Sequence, residues 1–537
     1  MGVWHQEKLL FESVPALEGA IATIWAFPNE YSVGITSLGY QVIWAILARR
    51  ADIEVARLFT DCHEPLPRHP ELVGFSLSWE LDYTHVLGLL ELLGIPRRDR
   101  LEEHPLVFGG GPVLTANPEP FADFFDVVLL GDGEDLIPNF LDAYAQVRGE
   151  DRPSQLRRLA RVPGVYVPSL YEVTYCGEAI ASITPKAEDV PAQIAKQTYR
   201  GNTLSVSTVV TEQAAWPGIY MVELVRSCPE MCRFCLASYL TLPFRTASLE
   251  KSLVPAIDRG LTVTDRIGLL GASVTQHPEF VELLDHLNQP RYSHLRLSIA
   301  SVRTNTVTEQ LAATLAKLQT TSITIAIESG SERLRQIVNK KLTNPEILQA
   351  AANAKAGGLK AIKFYGMVGI PGETMADLEA TVELLIQVKK AAPGLKLTLG
   401  CSTFVPKAHT PFQWCGVDPQ SEKRLKWLEK QLCSQGIGFR PESYNWSVIQ
   451  ALISRGDRRL GPLLELARTY GNTLGSYRRA SKELKGKVPS LDYYIHQNWP
   501  VNAVLPWHHL HSAVPTGTIA QHWQTTAALI NPELAGV

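Results

Sequence analysis

The chain has 537 residues, enough for roughly three to four domains. With 45% hydrophobic and 20% charged residues its composition is that of an ordinary globular protein, which excludes a disordered, collagenous or fibrous one. The net charge of −3 conceals an acidic start, 23 acidic against 9 basic side chains in residues 1–150, and a mildly basic end, 9 basic against 5 acidic in 446–537. No segment has the concentrated basic field of a dedicated nucleic-acid binder, so nucleic acid is not an expected partner.

The longest uncharged apolar stretch, Leu38–Ala48, is shorter than the ~18–20 residues a membrane span needs. The start, MGVWHQEKLL, lacks the basic and apolar blocks of a secretory signal, and Gln6 breaks a myristoylation pattern. A soluble, cytoplasmic protein is expected. Eight cysteines are too few for a disulfide scaffold, so metal or redox roles come first.

In chain order, strands are expected at 21–27 (IATIWAF), 71–77 (ELVGFSL), 104–111 (HPLVFGGG) and 125–131 (FDVVLLG), with helices at 34–50 and 84–93. Strands separated by helices predict a parallel, Rossmann-like sheet over residues 1–150. Its ligand loops should lie at the carboxyl ends of the strands: 29–37, 76–80 and 109–112. Residues 151–217 read as a β-hairpin, within 162–184, and a linker. Alternation resumes in 218–442. Strands are expected at 219–225, 265–271, 294–301, 322–328, 361–369 and 395–402, with helical patterns between them. Six such units predict a partial (β/α)6 barrel, TIM-barrel-like, with its chemistry at the strands' carboxyl ends. Residues 443–537 form a mainly helical C-terminal region, with helices expected at 446–454, 460–470 and 518–529.

The strongest local signal is RSCPEMCRFC, which places Cys228, Cys232 and Cys235 directly after the first barrel strand, with Phe234 before the last cysteine. A structural zinc site wants four ligands, usually as two pairs. Three thiolates on one short loop suit three corners of a [4Fe–4S] cubane, with the fourth iron open to a chelating ligand.

Here the sequence resembles the radical S-adenosylmethionine (SAM) enzymes, over residues 215–410. In that family the open iron binds the amino and carboxylate groups of SAM, whose cleavage yields a 5′-deoxyadenosyl radical. The resemblance implies further cofactor contacts behind the cysteine loop. Gly271 and Ser273, in LLGASV, stand where the family usually has Gly-Gly-Glu; the acidic residue is missing. Ser301 and Arg303 end the third strand, and the arginine suits the methionine carboxylate. Glu328 and Ser329 end the fourth and suit ribose hydroxyls. Gly366 and Gly369, in GMVGIPGET, are similar to the adenine-side loop.

The N-terminal sheet resembles the cobalamin-binding domain, whose familiar form carries Asp-x-His-x-x-Gly, Ser-x-Leu and Gly-Gly. Gly34 matches, but Asn29 and Tyr31 replace the Asp and His; Ser76 and Ser78, in Ser76-Leu77-Ser78, match loosely, and Gly109-Gly110-Gly111 matches well. With tyrosine at 31, no histidine of this motif can ligate cobalt from below. Cobalamin binding by shape remains open, as does a sheet that has lost the cofactor and only supports the barrel. Longer segments, among them FGGGPVLTANPEPFADFFD, FVPKAHTPFQW (404–414), RGDRRL (455–460) and LPWHHL (505–510), resemble an uncharacterised group of cobalamin-domain radical enzymes. That implies a cobalamin-dependent methyltransferase acting on an unactivated carbon of a small molecule and served by an electron donor such as flavodoxin or ferredoxin. Rearrangement, cyclisation, oxidation or RNA modification are the alternatives.

Three features stay open at this level. Cys401, Cys415 and Cys433 are either a second cluster or ordinary buried thiols. The Trp507–His511 patch is a zinc site, a pocket wall or packing. Lys407 and the 455–459 arginines are anion binders or ion-paired structure.

Overall fold

The computed structural model describes residues 3–531. The chain divides into two compact units. The first holds residues up to 200, 207–218 and 449–513; the second holds 201–206, 219–448 and the chain from 514. The residues expected as a separate C-terminal region are therefore shared out, 449–513 to the first unit and 443–448 and 514 onward to the second.

In the first unit six strands form one sheet: β1 (Ile21–Ala26), β2 (Ile53–Leu58), β3 (Leu72–Ser76), β4 (Leu106–Gly110), β5 (Val127–Leu129) and β6 (Val165–Tyr166). The order is β2-β1-β3-β4-β5-β6, parallel except for the last pair. The strands are apolar runs because parallel strands are covered on both faces. The covering helix Leu38–Ala48 starts at Ser37, whose hydroxyl accepts from Tyr40 N. Tyr40 locks helix to sheet: its hydroxyl donates to Trp25 O, and Trp25 Nε1 donates back to Tyr40 O.

Strand β2 is absent from the predicted elements. Its sequence IEVARL carries two charges, one of them buried. Arg57 is 2% exposed, forks onto Glu7 and Glu64, and lies 3.8 Å from the Trp44 ring centroid. The partners come from residues 7 and 64, so no local pattern announces the strand. The expected hairpin is present as Tyr171–Cys176 paired with Ala179–Pro185.

The second unit carries the expected strands as β7 (Ile219–Arg226), β9 (Arg266–Gly271), β10 (Arg296–Ile299), β11 (Ser322–Glu328), β12 (Ala361–Val368) and β13 (Lys396–Thr403). Two short strands add to them, β8 (Arg245–Thr246) and β14 (Gly438–Pro441). They form two four-stranded sheets, β8-β7-β9-β10 and β11-β12-β13-β14, joined by a parallel bridge from Val302 to Ile325. Along β12 Ile362, Phe364 and Val368 are fully buried, while Lys363 and Tyr365 are exposed on the opposite face. This period of two gives the wall a packed side and an open side. The C-terminal helix Thr516–Ile530 belongs to this unit; its Trp523 packs with Phe234, Phe404 and Phe412.

Candidate active site

The carboxyl ends of β7, β9, β10 and β11 surround a cavity of about 180 Å³. Cys228, Cys232, Cys235 and Phe234 line it, together with Ser273, Ser301, Arg303 and Glu328. Eight residues predicted from four separated stretches of sequence thus meet around one space.

The cysteine loop is held open from outside. Ser227 and Met231 take positive φ angles of 74° and 55°. Cys228 N donates to Ala237 O at 3.1 Å, and Asn339 Nδ2 donates to Met231 O at 2.8 Å. Arg233 donates to the carbonyls of Gln336 and Ile337. These bonds occupy the loop's backbone and leave the thiols to the cavity. Burial pushes the Cys232 thiol up to about 12 and shifts Cys235 the same way. Such thiols stay protonated until a metal displaces the proton. Among the described residues no three His, Cys, Asp or Glu side chains converge as ligands of a single ion. The three cysteines instead line one shared cavity.

The cavity also has unmet hydrogen-bonding capacity. Arg303 Nε, Thr304 Oγ1 and Ser238 Oγ are buried without a partner, and all three residues line it. An unpaired buried polar group costs about 1–3 kcal/mol, so three at one place mark a site made to be filled. Arg303 is aimed by Glu230, 3.1 Å from its Nη1. Glu230 in turn accepts from Gln276, which receives the Ser273 hydroxyl. Glu328 sits at a strained φ of 63° and pairs with Lys340 Nζ at 2.9 Å. Burial works against the Lys340 ammonium, but the Glu328 carboxylate outweighs it and holds the lysine above its usual range.

Lys340, Glu230, Ser238 and Thr304 are lining residues that the sequence did not reveal. Each is a single polar residue in a helix or loop with no spacing to mark it. Other predicted contacts stand elsewhere. Ser329 is buried outside the cavity lining; its hydroxyl accepts from Ser331 N and its carbonyl from Arg335. Gly369 makes a tight turn at φ 77°, its N–H donating to Glu373, and a Cβ there would meet Ser421 Oγ at 2.2 Å. Gly271 (φ 148°) abuts Val225 O, where a Cβ would come within 2.6 Å. Gly366 lines a neighbouring cavity.

In the first unit the strand order reverses between β1 and β3, and such a switch point opens a crevice at the strands' carboxyl ends. The loops after β1, β3 and β4 carry the predicted positions. Ser76 is half-buried, Ser78 is exposed, and Gly110 has no atom within 3.6 Å of a would-be Cβ. Gly111 needs to be glycine, with φ 107° and Leu77 O 2.6 Å from a Cβ. Gly109 and Gly34 are closed by Phe125 and Phe59 rings. Tyr31 is 2% exposed; its hydroxyl donates to Glu7 at 2.7 Å and its ring packs edge-on against Trp4 and Phe59. One imidazole does border the motif. His85 holds Pro28 O through Nδ1 at 2.9 Å.

The remaining candidates resolve as structure. Cys401 and Cys415 are buried apart, one in β13 and one beside Phe412, and Cys433 is exposed on the helix Ser421–Ser434. His509 is buried beside Glu119, Tyr166 and Tyr171, while His508 and His511 are exposed. Arg458 pairs with Glu119, Arg459 with Asp457, and Arg455 donates to the carbonyls of Tyr494 and Gln497.

This fold and this site define a class, an open parallel barrel whose mouth holds three cysteines. Residues 222–385 match the radical SAM superfamily, and residues 60–168 match the N-terminal domain of radical SAM proteins. The chain belongs to the radical SAM proteins. It is 27% identical over 461 residues to an uncharacterised protein of Methanocaldococcus jannaschii, covering 84% of this chain and 93% of that one. An uncharacterised methyltransferase of Pyrococcus horikoshii is 24% identical over 300 residues, 53% of this chain and 58% of that one. The fold is that of a Kitasatospora setae radical SAM methyltransferase, TsrM, solved with cobalamin and a [4Fe–4S] cluster. The TM-score is 0.52 at 12% identity, over 87% of this chain and 99% of that one. Among the described residues no helix is long and apolar enough to cross a membrane.

Proposed function

We propose that the protein is a cobalamin-dependent radical SAM methyltransferase that methylates an unactivated carbon of a small molecule. The observation that carries this reading is the cavity that gathers three thiols, an oriented arginine and three unpartnered buried polar atoms. Cys228, Cys232 and Cys235 would hold three irons of a cluster and leave the fourth for SAM. Arg303, fixed by Glu230, offers a buried cation to a carboxylate. Glu328 offers acceptors to hydroxyls, its charge balanced by Lys340. When bound, the cluster and SAM would supply an adenosyl radical and cobalamin a methyl group; the protein's part would be to position them and exclude water. The switch-point loops of the first unit, with Gly110, Gly111 and Ser76, would receive the corrin; position 31 offers its cobalt no imidazole, since it is a tyrosine, and the Tyr31 hydroxyl is engaged with Glu7. The likeness to a cobalamin-bound methyltransferase supports this assignment.

Anaerobic reconstitution with iron and sulfide, followed by metal analysis, corrin extraction and assay for 5′-deoxyadenosine, tests it. The expected result is one four-iron cluster, retained corrin and a product heavier by one CH2. A protein that cleaves SAM but retains no corrin overturns the methyl-transfer reading, and a product with no added CH2 turns it toward rearrangement or oxidation.

A further inference from the structure

A second cavity, of about 580 Å³, lies on the open face of β11–β14 and shares Ala326 and Glu328 with the cluster cavity. Its wall is a set of cross-strand rows. Ala326, Tyr365, Gly400 and Arg440 are successive partners across the four strands; Lys363 and Thr398 form the row beside them.

The first row is built around an exposed ring. Tyr365 is 51% exposed although it sits inside a concave wall, because Ala326 on one side and Gly400 on the other leave its flanks bare. A Cβ on residue 400 would approach Tyr365 Cδ1 to 3.0 Å, so the glycine keeps the ring's place free. An aromatic face left open in a cavity is a platform for a flat ligand.

The charges point the same way. Lys363 and Arg440 line the cavity; their backbones belong to the strand ladders, and among the described residues their side chains have no hydrogen-bond or ion-pair partner. Glu328 is already matched by Lys340. Lys363 and Arg440 against Glu442 therefore leave one net positive charge, which suits a monoanion better than a dianion. Arg440 can meet a carboxylate with two parallel N–H bonds.

We propose that this chamber is the substrate site and that the substrate is a flat, conjugated monocarboxylate, with its anion on Arg440 and Lys363 and its body on Tyr365. The inference rests on the radical SAM reading for the term substrate, but its test needs no cofactor. Binding of 2-naphthoate, 2-naphthamide and 2-naphthyl phosphate to the full chain is measured by ligand fluorescence and calorimetry. Naphthoate should bind roughly tenfold tighter than the neutral amide, and tighter than the phosphate. Arg440→Gln and Lys363→Gln should each weaken naphthoate by about fivefold to tenfold and leave the amide unchanged. Tyr365→Ala should weaken both probes. All three side chains are exposed, and circular dichroism confirms that each variant is folded. Equal binding of naphthoate and amide, preference for the phosphate, no saturable naphthoate binding, or indifference to Arg440→Gln overturns the proposal. Failure of the radical SAM reading shows separately, as no cluster or no SAM cleavage in a protein that still binds naphthoate.

Discussion

The two units present the same kind of place, the carboxyl ends of parallel strands, and furnish it in opposite ways. At the barrel mouth the backbone of the cysteine loop is tied down from outside while Arg303 Nε, Thr304 Oγ1 and Ser238 Oγ are left without partners. In the first unit the position expected to face a ligand, Tyr31, is spent on Glu7 and an aromatic cluster. One set of polar groups waits for a ligand; the other is closed on the protein itself. A shared architecture sets where a ligand can sit, and the saturation of the side chains there decides whether it is gripped or merely accommodated.

Four changes break or sharpen this contrast, in order of expected effect. Replacing Cys228, Cys232 and Cys235 together with alanine should abolish cluster assembly, read as iron and sulfide content, while corrin uptake continues. Corrin lost together with iron would show that the two sites do not answer separately.

The second change concerns His509. Burial holds its imidazole neutral down to about pH 4 in the fold, despite the nearby Glu119, against 6.5 in an unfolded chain. The unfolded chain therefore takes up the proton first. The stabilisation is whole above pH 6.5 and is lost as the pH falls to 4, by roughly 3 kcal/mol. Urea melts of the full chain should show this slope in the parent protein, and His509→Phe should flatten it.

Third, Lys340→Met removes a cation beside Cys232 and frees the Glu328 carboxylate. Both changes favour the oxidised cluster, so its midpoint potential should fall, by an amount redox titration with electron paramagnetic resonance can read. An unchanged potential would place Lys340 outside the cluster's field.

The smallest effect is expected from Tyr31→Phe, which removes one hydrogen bond to a Glu7 that still has Arg57. About 1 kcal/mol of stability should go, measured by chemical denaturation, with corrin retention unchanged. Lost retention would put Tyr31 in the cofactor site after all.

The barrel was readable because its signals are local. Each strand is a short apolar run whose period or flanking turns fix its ends, and the structure places β11 at Ser322–Glu328, the same bounds the pattern predicts. The cysteine loop is local too, three cysteines within eight residues. Strand β2 escaped because its buried Arg57 is neutralised by Glu7, fifty residues earlier. Lys340 and Glu230 escaped for the same reason: each matters through a partner on another segment, Glu328 and Arg303. The fate of residues 443–537 was equally hidden. Arg458 meets Glu119 across more than three hundred residues, and nothing in either segment says so.

By itself the sequence determined the parallel α/β architecture, the order of the strands along the chain and the grouping of three cysteines on one short loop, since apolar periodicity and cysteine spacing are written in neighbouring residues. Only the tertiary structure decided which predicted residues face the cavity, which buried polar atoms stay unpartnered there, and that Tyr31 and Ser329 point elsewhere. Those outcomes depend on how charge and hydrogen bonds are shared among segments far apart in the chain, and such pairings exist only once the chain has folded.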